Sequence, residues 1–124
     1  MKRYFVIFIS IGVLMILGAC SYTDIVPDDG SDIVISEDLS FSTDIEPIFK
    51  TQGCTNCHPA MHQPDLGVGF AYESLINGGY INTDKPENST IYTVPAPGGT
   101  HSAKLTTQQA ATILAWIEQG AQDN

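Results

Sequence analysis

Two cysteines and a histidine stand at positions i, i+3 and i+4 in Cys54-Thr55-Asn56-Cys57-His58, and few short patterns restrict a chain more tightly. On one helical turn these positions share a face, so both thiols and the imidazole address a single object from the same side. The C-x-x-C-H order is the attachment pattern for c-type haem, in which the thiols bond the two vinyl groups and the histidine meets the iron. The thioethers formed do not depend on redox poise, and they would consume Cys54 and Cys57. Three other uses of these residues stay open at this point. A disulfide between Cys54 and Cys57 suits an oxidising compartment. A zinc site would draw on Cys54, Cys57, His62 and His101, although the usual second pair of closely spaced ligands is missing. A thioredoxin-like redox pair calls for alternating strands and helices, a pattern this chain lacks.

The amino terminus points to the compartment. Lys2 and Arg3 precede an apolar run from Tyr4 to Leu17 broken only by Ser10 and Gly12, the basic and apolar regions of a secretory leader. The run is shorter than the roughly 18 apolar residues of a permanent transmembrane helix. Leu17-Gly18-Ala19-Cys20 follows and resembles the lipobox of bacterial lipoproteins. That resemblance implies a leader over residues 1–19 and a lipid-modified Cys20 as the first mature residue, anchored by acyl chains at about 0.8 kcal/mol per buried methylene. In lipoproteins of two-membrane bacteria an aspartate after the lipidated cysteine retains the protein at the inner membrane. Here Ser21 stands in that place, which favours the outer membrane. The expectation is an exported protein, lipid-anchored in the cell envelope.

Charge and length narrow the partners. The 124 residues carry 14 acids and 5 bases, net −9; without Lys2 and Arg3 the balance is 14 against 3, or −11. Nucleic acid is excluded as a partner, because phosphate binding needs clustered Lys and Arg. Residues 20–40 hold Cys20 and then a stretch containing Asp24, Asp28, Asp29, Asp32, Glu37 and Asp38, no base, and the turn formers Pro27 and Gly30, so they read as an acidic tether. A flexible tether of that length would have a typical end-to-end distance of roughly 25 Å and reach about 70 Å when stretched. The triplet Ile33-Val34-Ile35 is its exception, either a short strand or a segment packed on the domain. What remains, residues 41–124, is one small domain whose limited core calls for a covalent or cofactor staple.

Within it the pattern is short helices between Gly and Pro loops. Thr43 and Glu46 have capping-box spacing, Pro47 suits an opening turn, Ile45, Ile48 and Phe49 make an apolar face, and Gly53 ends the first helix. A second helix of two turns is expected near Phe70 to Ile76 before Asn77-Gly78-Gly79, and a weaker turn near Ser89 to Thr93. The last helix is the clearest: Thr106 and Gln109 suit a capping box, Ala110, Ile113, Leu114, Trp116 and Ile117 form a stripe, and Gly120 lies past its end. It should pack on the first. No stretch of the domain alternates as strands do.

Taken together, Ile45-x-Pro47-Ile48-Phe49 before the Cys54 to His58 motif, Ser89-x-Ile91-Tyr92, and Leu105-Thr106 leading to Trp116-Ile117-x-x-Gly120-Ala121 resemble the small class I cytochrome c domains of exported bacterial proteins. The resemblance spans nearly all of Phe41 to Gln122. It implies an all-α, cytochrome c-like fold of short helices around one covalent haem c, with first and last helices crossing near Phe49 and Trp116. The sequence departs from the pattern at one place. Relatives commonly carry Met-Pro-Pro shortly before the last helix, its methionine being the distal iron ligand, whereas this chain has Gly98-Gly99-Thr100-His101 and no methionine beyond Met61. His101 occupies the ligand's place in that loop, 43 residues after His58. Met61 and His62 follow His58 too closely to reach around a haem edge, and Lys104 would have to lose a proton against a solution pKa of about 10.4. The axial pair expected is therefore His58 and His101, with an exposed loop histidine and a water-filled distal position as the alternative.

A six-coordinate haem leaves no position for substrate, so the expectation is a single-electron carrier and not an enzyme. Its partners would be redox proteins of the envelope, and the acid-rich surface suits a basic docking face. The rival from another class is a haem-based sensor or peroxidase-like enzyme with an open distal site, for which His62 or His101 would supply half of an acid–base pair.

Overall fold

The first helix begins earlier than its sequence signal. Thr43 and Glu46 do not close a capping box: Thr43 Oγ1 donates to Asp44 Oδ2 at 3.1 Å, and Glu46 Oε1 accepts from the distant Gly69 amide at 2.7 Å. Asp44 Oδ2 instead accepts from the Ser40 amide at 2.8 Å, so the chain already turns at Phe41. In the computed structural model, which describes residues 33–124 except Met61, this gives a π-helical turn, Phe41–Ile45, running directly into helix α1, Glu46–Thr51. The proposed leader, Cys20, most of the acidic tether and Met61 lie outside the described residues.

Four further α-helices follow: α2, Cys54–Cys57; α3, Ala71–Asn77; α4, Thr90–Thr93, entered through a 3-10 turn at Pro86–Asn88; and α5, Thr107–Glu118. No strand occurs among the described residues, and the fold is all-α. Helix α5 forms as its sequence indicates. Thr106 Oγ1 accepts from the Gln109 amide at 3.2 Å while Gln109 Oε1 accepts from the Thr106 amide at 2.9 Å, which satisfies two end groups at once. Ala110, Ile113, Trp116 and Ile117 are buried, but Leu114, on the shoulder of the same stripe, stays half-exposed. Past Glu118 the chain turns through Gly120 at φ +100°, a conformation that costs glycine little.

The core gathers where the π turn meets α5. Phe41 packs against both Trp116 and Tyr72, each with ring centroids 5.3 Å away, these two rings meet each other at 6.4 Å, and Phe41 approaches Phe49 at 6.5 Å. The crossing expected of Phe49 and Trp116 is thus mediated by Phe41, which is 3% exposed. Hydrogen bonds clasp the same two ends. Gln119 accepts from the Leu39 amide at 2.9 Å and donates to Ser36 O at 2.9 Å, and Asn124 Oδ1 accepts from the Phe41 amide at 2.9 Å. The compact unit spans Ile33–Asn124: Leu39 is buried, although it falls in the stretch read from sequence as tether, and Ile35 packs on the core, the second of the two alternatives open for its triplet. Val34 of the same triplet stays 82% exposed.

Candidate functional site

Gly53 stops α1 with φ +69° and hands the chain to α2, a single turn carrying both motif cysteines. The turn is closed by the His58 amide donating to Cys54 O at 2.9 Å. The chain then doubles back beneath His58. The Leu66 amide donates to His58 O at 2.9 Å, and His58 Nδ1 lies 3.1 Å from Pro64 O. A carbonyl can only accept, so Nδ1 must carry the proton, which leaves Nε2 with a free lone pair.

Opposite stands the loop between α4 and α5, tied to itself. The His101 amide donates to Val94 O at 3.1 Å, the Leu105 amide to Pro95 O at 2.8 Å, the Gly99 amide to Ala96 O at 2.8 Å, and Lys104 Nζ donates to Gly99 O. Gly99 is required by space, because a Cβ there would strike the carbonyl oxygens of Thr93 and Val94. The loop holds His101 with Nδ1 3.0 Å from Ala103 O and 3.2 Å from the Ala103 amide. Whichever of these bonds forms, Nδ1 is the engaged atom and Nε2 is not.

The two rings lie with centroids 5.9 Å apart and planes inclined by 32°. One metal ion with imidazole nitrogens about 2 Å away on either side, each about 1 Å from its ring centre, needs about 6 Å. Around the rings lies a cavity of about 300 Å³ walled by Phe49, Pro64, Leu66, Ile91, Val94 and Leu105, with Cys54 in its wall and Gln52, Gln63, Tyr80, Thr90 and Lys104 supplying polar groups. Among the described residues no carboxylate lines it.

Cys54, His58 and His101, singled out by the sequence, thus share one cavity. Cys57 is exposed on the neighbouring position of the turn, and His62 is exposed outside the cavity. Among the described residues no group of three or more His, Cys, Asp or Glu side chains converges as a metal cluster, so the four-donor zinc arrangement is not assembled. Cys54 and Cys57 are not disulfide-bonded. Burial pushes the Cys54 thiol above its ordinary value, a hydrogen bond to its own backbone opposes this in part, and the nearby Cys57 adds to the rise. A redox-active pair needs the opposite shift. Sequence reasoning missed the Pro64 carbonyl that orients His58, for which no local signal exists, and the close approach at Gly99, of which the Gly98-Gly99 pair was the visible trace.

Scans against protein-family models, curated proteins and solved structures find no match to this chain.

Proposed function

We propose that the chain is a mono-haem c-type cytochrome, a lipoprotein that passes single electrons at the cell envelope. The observation that carries this reading is the close pair His58 and His101, each with Nδ1 engaged by backbone and Nε2 unengaged among the described residues, beside Cys54 in an apolar cavity. The residues fit the cofactor: Cys54 and Cys57 would hold it by thioethers, and His58 and His101 would be the axial ligands. Haem iron, when bound, takes up and releases one electron at a time.

The remaining work belongs to the protein. Pro64 fixes the tautomer and ring plane of His58, in the way that groups bonded to a metal ligand usually do. Phe49, Leu66, Ile91 and Leu105 exclude water, and the loop closed by Lys104 and Gly99 holds His101 in place. An imidazole on each side would leave no position for substrate, and among the described residues the cavity offers no carboxylate for acid–base chemistry, which favours a carrier over a sensor or peroxidase. Export, lipidation at Cys20 and an outer-membrane location complete the proposal on the sequence alone.

The test is to express the full chain in a bacterium that exports proteins and attaches haem c. Haem colour that survives denaturation and acid-acetone extraction supports the reading, and a colourless protein overturns it. Carbon monoxide added to the reduced form should leave the spectrum unchanged, whereas binding points to the open-site alternative. Cys20→Ala should move the protein from the membrane fraction to the soluble one with the haem spectrum unaltered.

A further inference from the structure

The carbonyl that orients His58 is itself held from behind. Pro64 O and the Asp65 amide are the two ends of one planar peptide unit. At one end the carbonyl lies 3.1 Å from His58 Nδ1; at the other the amide donates to Ser74 Oγ at 2.7 Å. The Ser74 hydroxyl in turn donates to Gln63 Oε1 at 3.1 Å, on the residue just before Pro64. These bonds run in one direction, from the imidazole N–H through the peptide and the hydroxyl to the side-chain oxygen of Gln63. In such a chain each bond polarises the next. Proline has no N–H of its own to be held by, and Ser74 grips the residue on either side of it, from a groove separate from the cavity. Helix α3 gives Ser74 a firm base: Ala71 and Leu75 are fully buried, and Tyr72 Oη donates to Ala121 O at 3.0 Å. The Leu66 amide, bonded to His58 O, keeps the chain beside the histidine, and the Ser74 bond fixes the tilt of the peptide plane.

We propose that Ser74 is a positioning residue for the His58 imidazole: through the Pro64–Asp65 peptide it holds the acceptor on Nδ1 and so sets how strongly Nε2 donates to a metal. The inference rests on the haem reading above. A ring whose N–H is firmly bonded is the more basic ligand. A more basic ligand favours the ferric over the ferrous state and lowers the potential. Without the hydroxyl the peptide plane is free to tilt, the Nδ1 bond weakens, and the potential rises. The control lies outside the cavity wall, on a helix whose own place is set by the core.

The experiment uses the haem-loaded protein in non-ionic detergent and reads two quantities: the midpoint potential and, in the reduced form, the solvent-exchange rate of the His58 Nδ1 proton by NMR. Ser74→Ala should shift the redox equilibrium toward the reduced form about two- to tenfold and speed the proton exchange by a similar factor, the change expected for one net hydrogen bond. Ser74→Thr should keep both readings near those of the unaltered protein. Ser74→Val, with the shape of threonine but no hydroxyl, should reproduce the alanine result, and this matched pair is the test where the alanine variant folds poorly. Tyr72→Phe removes a different bond of the same helix and should lower thermal stability with potential and exchange rate unmoved. Identical readings in Ser74→Val and Ser74→Thr would overturn the proposal. So would an equal shift in Tyr72→Phe, which would make the effect one of helix stability alone. A protein without covalent haem is colourless before any measurement, so failure of the underlying reading is distinguishable from failure of this one.

Discussion

Phe41 rests against Trp116 with ring centroids 5.3 Å apart and planes inclined by 44°, and this contact joins the opening π turn to the last helix. Both rings are nearly inaccessible to solvent. Phe41→Ala and Trp116→Ala should each lower the unfolding free energy by about 3–5 kcal/mol. Because the rings touch, the double variant should lose less than the sum of the two. Urea unfolding of the three variants measures this, and strict additivity would show that the contact contributes nothing of its own.

Gly99→Ala should disturb the site without touching the proposed ligands His58 and His101. The added methyl meets the carbonyl oxygens of Thr93 and Val94, so the loop must shift, and the His101 bond to Val94 O shifts with it. A stability loss of about 1–3 kcal/mol is expected from such overpacking, together with a mixture of low-spin and high-spin ferric signals. A variant with wild-type stability and a homogeneous low-spin spectrum would show that the loop tolerates the methyl.

His101→Ala removes one of the two paired imidazoles. The ferric form should lose its low-spin signals, and the reduced form should bind carbon monoxide. In the unaltered protein the proposed imidazole ligand, in place of a thioether, should hold the haem potential below that of methionine-ligated c-type cytochromes. A methionine-type near-infrared charge-transfer band in the unaltered protein, or low-spin signals unchanged by the substitution, would remove His101 from the coordination sphere.

Cys54 and Cys57 should differ in the haem-free chain. Cys57 is exposed, while Cys54 is half-buried with its thiol shifted above the ordinary value near 9.0, so iodoacetamide at pH 8 should modify Cys57 first, as peptide mapping would show. The raised folded-state value means that folding favours the protonated thiol. That contribution is full below the unfolded pKa and is lost as pH rises through the folded one. The haem-free chain should therefore lose stability above about pH 9, and Cys54→Ser should flatten that part of the curve. In the haem-loaded protein Cys54→Ser and Cys57→Ser should each leave a single thioether and a less stable fold; two variants with normal stability and fully covalent haem would refute the attachment.

Helix α5 was legible because its determinants are local: a capping box between Thr106 and Gln109 and a stripe from Ala110 to Ile117 need no knowledge of the rest of the chain. The Cys54 to His58 turn was legible for the same reason. The start of the first helix was not, since Thr43 and Asp44 offer similar capping chemistry and the choice follows Ser40, which long-range bonds to Asn124 hold in place. Leu39 reads as tether because acids precede it, and only Gln119 and the core beside it decide otherwise, while the packing of Ile35 is one of two alternatives that three apolar residues leave open. For the site, the sequence named Cys54, His58 and His101 but could not indicate the Pro64 carbonyl, because any backbone oxygen is equivalent until the chain is folded.

The clasp between the two ends of the domain bears on the order of events in the proposed secretion. Leu39 bonds Gln119 across 80 positions and Phe41 bonds Asn124 across 83, so on the proposed route of export closure would wait until almost the whole domain had been threaded across the membrane, and long-range closures of this kind are slow. The Cys54 to His58 segment emerges long before Gln119 does. A maturation enzyme acting on it would meet an open chain, with both thiols accessible and the opposing His101 loop not yet in place.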